Sequence, residues 1–373
     1  MSGPFNIAAL DFWPIRIPLA TPYHLSAVLG TLTHAEAVIV RITLSNGIVG
    51  WGECDPHAAF DGYTLERACS DIAKRKDSLI GQSVEEWVLN STGMNFSGTS
   101  AAAIDVACYD AYAKAIGSPL WKVLGERRHE ALNVLWPTSS GTAQDDLKII
   151  RERYELGFKT FMLKMGSRSI SDELNRLTQV FSEMPSDVQI MVDANQGWSA
   201  LQAEEFIHGS KHLPLILVEQ PLPAFDLLDM SKLVSLGIHP ISADEAVTST
   251  ESAERLISAE AADVISVKIS KHGGLANALL ISKTVKSAGK QILMNSMIEF
   301  GITQAASLHL GITLSNLLPC GHAYMSTLRM SDDITNFSNL VTAGKITPST
   351  HSGLGIEVSL DKILQYEKDI AYE

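Results

Sequence analysis

Hydrophobic and polar positions change rhythm twice along the chain. Over residues 7–53 the apolar positions are rich in β-branched residues: 35–42 reads AEAVIVRI, Ser45-Asn46-Gly47 is a turn signal, and 48–53 returns. This predicts a hairpin or meander. From about 65 to 124 the apolar spacing lengthens to three and four; 97–116 is Ala-rich, and Gly117-Ser118-Pro119 ends it, which predicts helix. Residues 1–126 are expected to form an α+β domain. Beyond Glu126-Arg127-Arg128, short apolar runs alternate with amphipathic segments: 132–137, 160–165, 188–193, 215–219, 240–244, 263–269 and 291–295, with a weaker eighth at 317–320. Strands alternating with helices predict a parallel sheet with right-handed crossovers. Runs that are apolar throughout predict burial on both faces, which favours a (β/α) barrel over 127–331 rather than a doubly wound sheet. Residues 332–373 are polar, carry Gly344, Gly353 and Gly355, and are expected to pack back on the first domain.

Composition narrows the function. The 373 residues are 46% hydrophobic and 19% charged, enough apolar material for a large core. Lys and Arg number 29 against 42 Asp and Glu, a formal charge of −13. Nucleic acids and anionic membranes are bound through clustered positive charge, so neither is an expected partner. A small anionic substrate needs only local cations or a metal and stays open. Cys54, Cys69, Cys108 and Cys320 form no CxxC pair and are expected to be reduced and buried. The first 13 residues carry no basic leader, and no apolar run reaches about 18 residues, so a cytoplasmic protein is expected. No GxGxxG follows an early strand, and neither GxxxxGK[ST] nor GxSxG occurs.

The chemistry sits at the strand ends. Lys164, Asp193, Glu219, Asp244, Lys268 and Glu299 lie at or just past the carboxyl ends of successive runs, 24 to 31 residues apart, about one βα unit each. In a barrel such residues converge on one mouth. Three carboxylates there would repel one another unless neutralised, and an oxygen-only ligand set points to Mg²⁺, with Mn²⁺ as a substitute. The flanking lysines have no lone pair to offer a metal while protonated. Partly desolvated beside a divalent cation, each is expected to have a lowered pKa and to serve as a base. A base on each side of a metal-held substrate suits removal of the very weakly acidic proton α to a carboxylate, because the metal stabilises the doubly charged enediolate.

These segments resemble the enolase superfamily in its muconate-lactonizing subgroup. The matching stretches are FMLKMG (161–166), VDANQGW (192–198), VEQP (218–221), ADE (243–245) and SVKISKHGGL (266–275). Residues 99–125 resemble the helical stretch leading from that family's cap into its barrel, and Trp51-Gly52-Glu53 its hairpin. The resemblance implies an α/β fold: an N-terminal α+β capping domain over a (β/α)7β TIM-type barrel, with residues 332–373 completing the cap. It implies Asp193, Glu219 and Asp244 as Mg²⁺ ligands, Lys164 and Lys268 as the acid/base pair, and Asn195 and Glu245 as groups behind the ligands. Glu299 resembles the subgroup's glutamate after the seventh strand. Tyr23, His24, Asp55, His57 and Phe60 fall in cap loops placed over the mouth, where substrate contacts are expected. Two positions depart from the pattern. The subgroup's Lys-x-Lys becomes Met162-x-Lys164, and the region of Cys320-Gly321-His322 offers no acid to grip a dipeptide ammonium. His272, before Gly273-Gly274, is expected to serve its turn, and His309 to be a core or capping residue.

The expected activity is racemisation or epimerisation of a small carboxylic acid or an N-substituted or cyclic amino acid. Dehydration of a β-hydroxy acid such as a hydroxyproline, or a muconate-type cycloisomerisation, would share the first step. A non-catalytic barrel kept for binding predicts damage to the carboxylates or a lysine, and only Met162 departs. The expected partners are a small carboxylate and further copies of the chain.

Overall fold

The computed structural model describes residues 3–90 and 98–371. The predicted hairpin is a three-stranded antiparallel sheet of β1 (Ile7–His24), β2 (Thr31–Leu44) and β3 (Val49–Cys54), turning at Gly47 with φ +84°. Helix Thr99–Ala115 packs on it; Ser97, where the predicted helix begins, lies outside the described residues. A Cβ on Gly50 or Gly52 of β3 would overlap the backbone of that helix at Ala107 and Ala103. The glycines and the helix's alanines are thus two halves of one close approach.

The barrel strands are β4 (Leu132–Pro137), β5 (Thr160–Lys164), β6 (Gln189–Asp193), β7 (Val218–Glu219), β8 (Ile241–Ala243), β9 (Val264–Val267) and β10 (Gln291–Met294), each parallel to the next. The weak eighth run closes the ring in two pieces. Leu317 bridges Ile292, and β11 (Gly321–His322) pairs with β4. Pro319 lies between them and has no N–H to donate, so the run 317–320 does not form an unbroken strand.

The C-terminal segment divides its packing. Helix Leu360–Tyr366 lies on β1, with the Lys368 amide donating to Pro14 O at 2.9 Å. The hairpin β12 (Val341–Thr342) to β13 (Lys345–Ile346) instead adds antiparallel to β4 of the barrel. All four cysteines are buried and free. Among the described residues no helix is long and apolar enough to cross a membrane.

Candidate active site

Parallel register sets the first layer of the site. Lys164, Asp193 and Glu219 are the last residues of β5, β6 and β7, and the pairings Lys164–Asp193 and Asp193–Glu219 place them side by side. Asp244 and Lys268 follow β8 and β9 by one residue. All five are buried. Lys164 Nζ donates to Asp193 Oδ2. Across the mouth, Lys268 Nζ donates to Asp244 Oδ2 at 2.6 Å, and Lys271 Nζ donates to Asp244 Oδ1 and to its backbone O, both at 2.6 Å.

Glu219 lies between these pairs. Its Oε1 accepts from Ser266 Oγ and from Asn295 Nδ2, while Oε2 is buried with no partner among the described residues. Burial, followed by the charges of Asp193 and Asp244, pushes its carboxyl well above the usual range. Burial also opposes ionisation of Asp244, but Lys268 and Lys271 outweigh it and hold that carboxyl low. Asn195 and Glu245 are brought together. Asn195 N donates to Asp193 Oδ1 at 2.8 Å, and its Nδ2 donates to Glu245 Oε1 at 3.1 Å. Burial and the two nearby aspartates push Glu245 up to about 7.

The lowered lysine pKa is expected beside a divalent cation; the protein's own charges act in the other direction. Burial alone would lower both, but Asp193 beside Lys164 and Asp244 beside Lys268 hold the ammoniums above the ordinary lysine range. Met162, buried two residues before Lys164 on β5, brings no charge to oppose this. The lysines also occupy aspartate oxygens, Lys164 taking Asp193 Oδ2 and Lys268 and Lys271 taking Asp244 Oδ2 and Oδ1. Among the described residues no three His, Cys, Asp or Glu side chains close into a metal-ligand group. The donor set still fits a hard divalent cation: the oxygens are carboxylate oxygens, and Glu219 Oε2 and Asn195 Oδ1 are buried without partners. Asp193, Glu219 and Asp244 are the residues that could hold it.

Above this layer is a small cavity of about 30 Å³, room for a water or two. Lys164 and Lys268 both line it, and each faces a cap aromatic. The Tyr23 ring lies 6.0 Å from Lys164 Nζ and the Phe60 ring 5.1 Å from Lys268 Nζ. Asp55 and His57 do not line this cavity. They border a larger cleft of about 540 Å³ between the β1–β2 hairpin and the barrel, where His57 meets Phe60 edge to face. His24 shares a hydrogen bond of 2.9 Å with Thr31 Oγ1 outside the cavity. Glu299 also stays behind the wall: its carboxylate accepts from the Met297 amide, Gln304 Nε2 and Ser296 Oγ, and Ser296 rather than Glu299 reaches the cavity. His272 bonds Val247 O, and His309 joins the Trp121 amide to Leu354 O, so both serve the scaffold as expected.

Sequence spacing missed Lys271, Ser296, Ile298 and Arg329. Lys271 carried a local signal, one helical turn past Lys268. Ile298 has φ +80°, an uncommon backbone for a β-branched residue, and its amide donates to Ser296 Oγ at 2.9 Å. Arg329 lies beyond the last strand, where the βα period no longer points to anything.

Comparison with known proteins finds matching family models and relatives of the same fold. The family model described as "Mandelate racemase / muconate lactonizing enzyme, N-terminal domain" matches residues 12–125, and "Enolase C-terminal domain-like" matches 146–362. The L-Ala-D/L-Glu epimerase of Bacillus subtilis is 30% identical over 94% of this chain and 96% of its own length. Muconate cycloisomerase 1 of Acinetobacter baylyi is 27% identical over 95% and 97%. The crystal structure of N-succinyl Arg/Lys racemase from Bacillus cereus superposes with a TM-score of 0.90 at 26% identity, covering 98% of each chain.

Proposed function

The chain belongs to the enolase superfamily, as an enzyme of its mandelate racemase/muconate lactonizing branch, and on that premise we propose that it racemises or epimerises a small carboxylate by moving the proton at the α carbon. The observation that carries this reading is the approach of two buried lysines, from β5 and from the end of β9, to one small cavity that Asp193 also lines, with Glu219 and Asp244 on the neighbouring strand ends. A divalent cation such as Mg²⁺ or Mn²⁺ held by those three carboxylates would draw charge from a substrate carboxylate and acidify the neighbouring C–H. A lysine acts as a base only when uncharged, and each is held charged by the aspartate it pairs with. Engaging those aspartate oxygens elsewhere removes that restraint. One lysine then takes the proton from one face, and the other, still an ammonium, returns one to the opposite face. Tyr23 and Phe60 keep bulk water off both amines.

A second reading, cycloisomerisation, is favoured by the relatives named muconate cycloisomerases and uses the same lysines on an unsaturated acid. Polarimetry and ultraviolet absorbance on a panel of carboxylates separate the two. Loss of optical rotation without new absorbance supports isomerisation at one centre, whereas loss of diene absorbance replaces it with ring closure. Mg²⁺-loaded enzyme that neither exchanges an α proton of any panel member with D₂O nor places solvent deuterium in a ring-closed product overturns both.

A further inference from the structure

Arg329 stands between two spaces. With Pro137 it lines both the small cavity and an outer cleft of about 380 Å³, which the proton transfer does not use. Two further cations border that cleft, Lys148 and Arg153, both on helix Ala143–Glu155. In a chain with a formal charge of −13, three cations on one cleft are a local reversal of sign.

Neither arginine is paired with a carboxylate among the described residues. The Arg329 guanidinium lies over the Tyr23 ring of β1, 3.7 Å from the centroid, and its Nη1 is buried with no hydrogen-bond partner among those residues. The Arg153 guanidinium lies over the Trp136 ring of β4, 3.8 Å from the centroid. Burial works against the Arg153 cation, Glu152 works for it, and the like charge of Arg329 works against it again. Other arginines of the fold behave differently. Arg151, on the same helix, reaches Glu183 at 3.2 Å, and buried Arg176 grips both oxygens of Asp146 at 2.6 and 2.9 Å. Of the acids on the cleft, Asp145 is already engaged by the Thr142 amide and hydroxyl, which leaves Glu152 against three cations. Two guanidiniums that repel each other, one with a buried unused donor, are costly unless an anion joins them.

The donors set the chemistry of that anion. One guanidinium fork takes both oxygens of a carboxylate, whereas a tetrahedral oxyanion presents oxygens in several directions and accepts from two guanidiniums at once. Three cations against one unengaged acid leave a surplus that suits a dianion. We propose that the outer cleft binds a phosphate group, free or as a phosphomonoester, between Arg153 and Arg329, as a ligand separate from the substrate. Trp136 and Tyr23 hold the two guanidinium planes from opposite elements, so little side-chain freedom is lost on binding. The site does not depend on the reaction at the barrel mouth.

Calorimetric titration of the Mg²⁺-loaded enzyme tests this with inorganic phosphate, monoethyl phosphate and acetate, at constant ionic strength and about pH 7.5, where the phosphates are largely dianions. At least one phosphate compound should bind saturably, at one site, roughly tenfold or more tightly than acetate. Binding of inorganic phosphate alone identifies a free ion as the ligand, and binding of the ester alone a phosphomonoester. Arg153→Gln and Arg329→Gln should each weaken binding roughly 10- to 100-fold. Arg153 does not line the small cavity, so its variant reports on the cleft alone. Arg153→Lys keeps the charge without the fork and should weaken binding about three- to tenfold. Binding should survive chelation of Mg²⁺. Failure of both phosphate compounds to bind saturably overturns the proposal, and so does acetate binding equally well. Loss of binding on chelation would put the anion on the metal and overturns it too, as does unchanged binding in whichever of the variants fold, judged by circular dichroism.

Discussion

Asp105, on the cap helix Thr99–Ala115, accepts a hydrogen bond at 3.1 Å from the amide of Ala276, in the first turn of the barrel helix Leu275–Ser287. Glu53 of β3 does the same for helix Gly301–Gly311, accepting from the Phe300 amide at 2.6 Å and the Thr303 amide at 3.0 Å. Two cap carboxylates therefore cap two barrel helices, where free amides and the helix dipole favour negative charge. The cap is held over the mouth by these contacts as well as by packing.

Burial nevertheless pushes Asp105 up to about 6 and Glu53 up to about 7, above ordinary values of 3.8 and 4.5. An acid with a raised pKa binds its proton more tightly folded than unfolded. Its contribution to stability is full below the unfolded value and is lost as pH rises through the folded one. The stability advantage of wild type over Asp105→Asn should therefore shrink, by on the order of 2–3 kcal/mol, between about pH 4 and about pH 7.5. Urea unfolding of both proteins across that range checks it. Parallel curves would remove Asp105 from this role.

The two lysines should differ in what their loss does to the fold. Lys268→Ala leaves Lys271 on Asp244 Oδ1, so that carboxylate keeps a cation. Lys164→Ala leaves Asp193 with the Asn195 amide but no ammonium among the described residues. Lys268→Ala should cut turnover roughly 10²–10⁴-fold while melting close to wild type. Lys164→Ala should melt lower, by on the order of 1–3 kcal/mol, and should confine α-deuterium exchange to one face of the substrate. Calorimetry and exchange into each enantiomer measure these effects. Equal exchange of both enantiomers in Lys164→Ala would refute a two-base mechanism.

The spacing of strand ends was legible because a barrel converts one residue per βα unit into one layer of a mouth. Lys164, Asp193 and Glu219 became register partners for that reason. What periodicity carries no information about was not legible. Arg329 follows the last strand, and the broken closure at Pro319 depends on one missing N–H. The direction of the lysine shifts depends on which oxygen each ammonium reaches, a matter of ångströms that spacing cannot express. Asp55 and His57 were correctly placed in cap loops, but chain position did not separate the 540 Å³ cleft from the small cavity beside it.

The close approach of β3 to helix Thr99–Ala115 gives a purely packing prediction. A methyl at Gly52 would overlap the Ala103 carbonyl, whereas a methyl at Gly47 meets open space and is opposed only by φ +84°. Gly52→Ala should cost about 1–3 kcal/mol or more by forcing sheet and helix apart. Gly47→Ala should cost about 1 kcal/mol, through backbone strain alone. Chemical denaturation ranks the two, and equal losses would mean that the helix gives way without resistance.

Glu219 allows the metal to be tested without any substrate. It is the one carboxylate of the three with no lysine pair among the described residues, and its unpartnered Oε2 gives a divalent cation a free oxygen. Binding to the folded chain alone raises stability by about 2.7 kcal/mol at a hundredfold excess over Kd, so Mg²⁺ should raise Tm by a few degrees. Glu219→Gln keeps the shape of the side chain but removes its charge. It should abolish the Mg²⁺-dependent rise while leaving the metal-free protein folded. Chelation should eliminate wild-type activity, and added Mg²⁺ should restore it. A rise in Tm that is equal in wild type and Glu219→Gln would place the ion elsewhere, and full turnover after chelation would remove the metal from the mechanism.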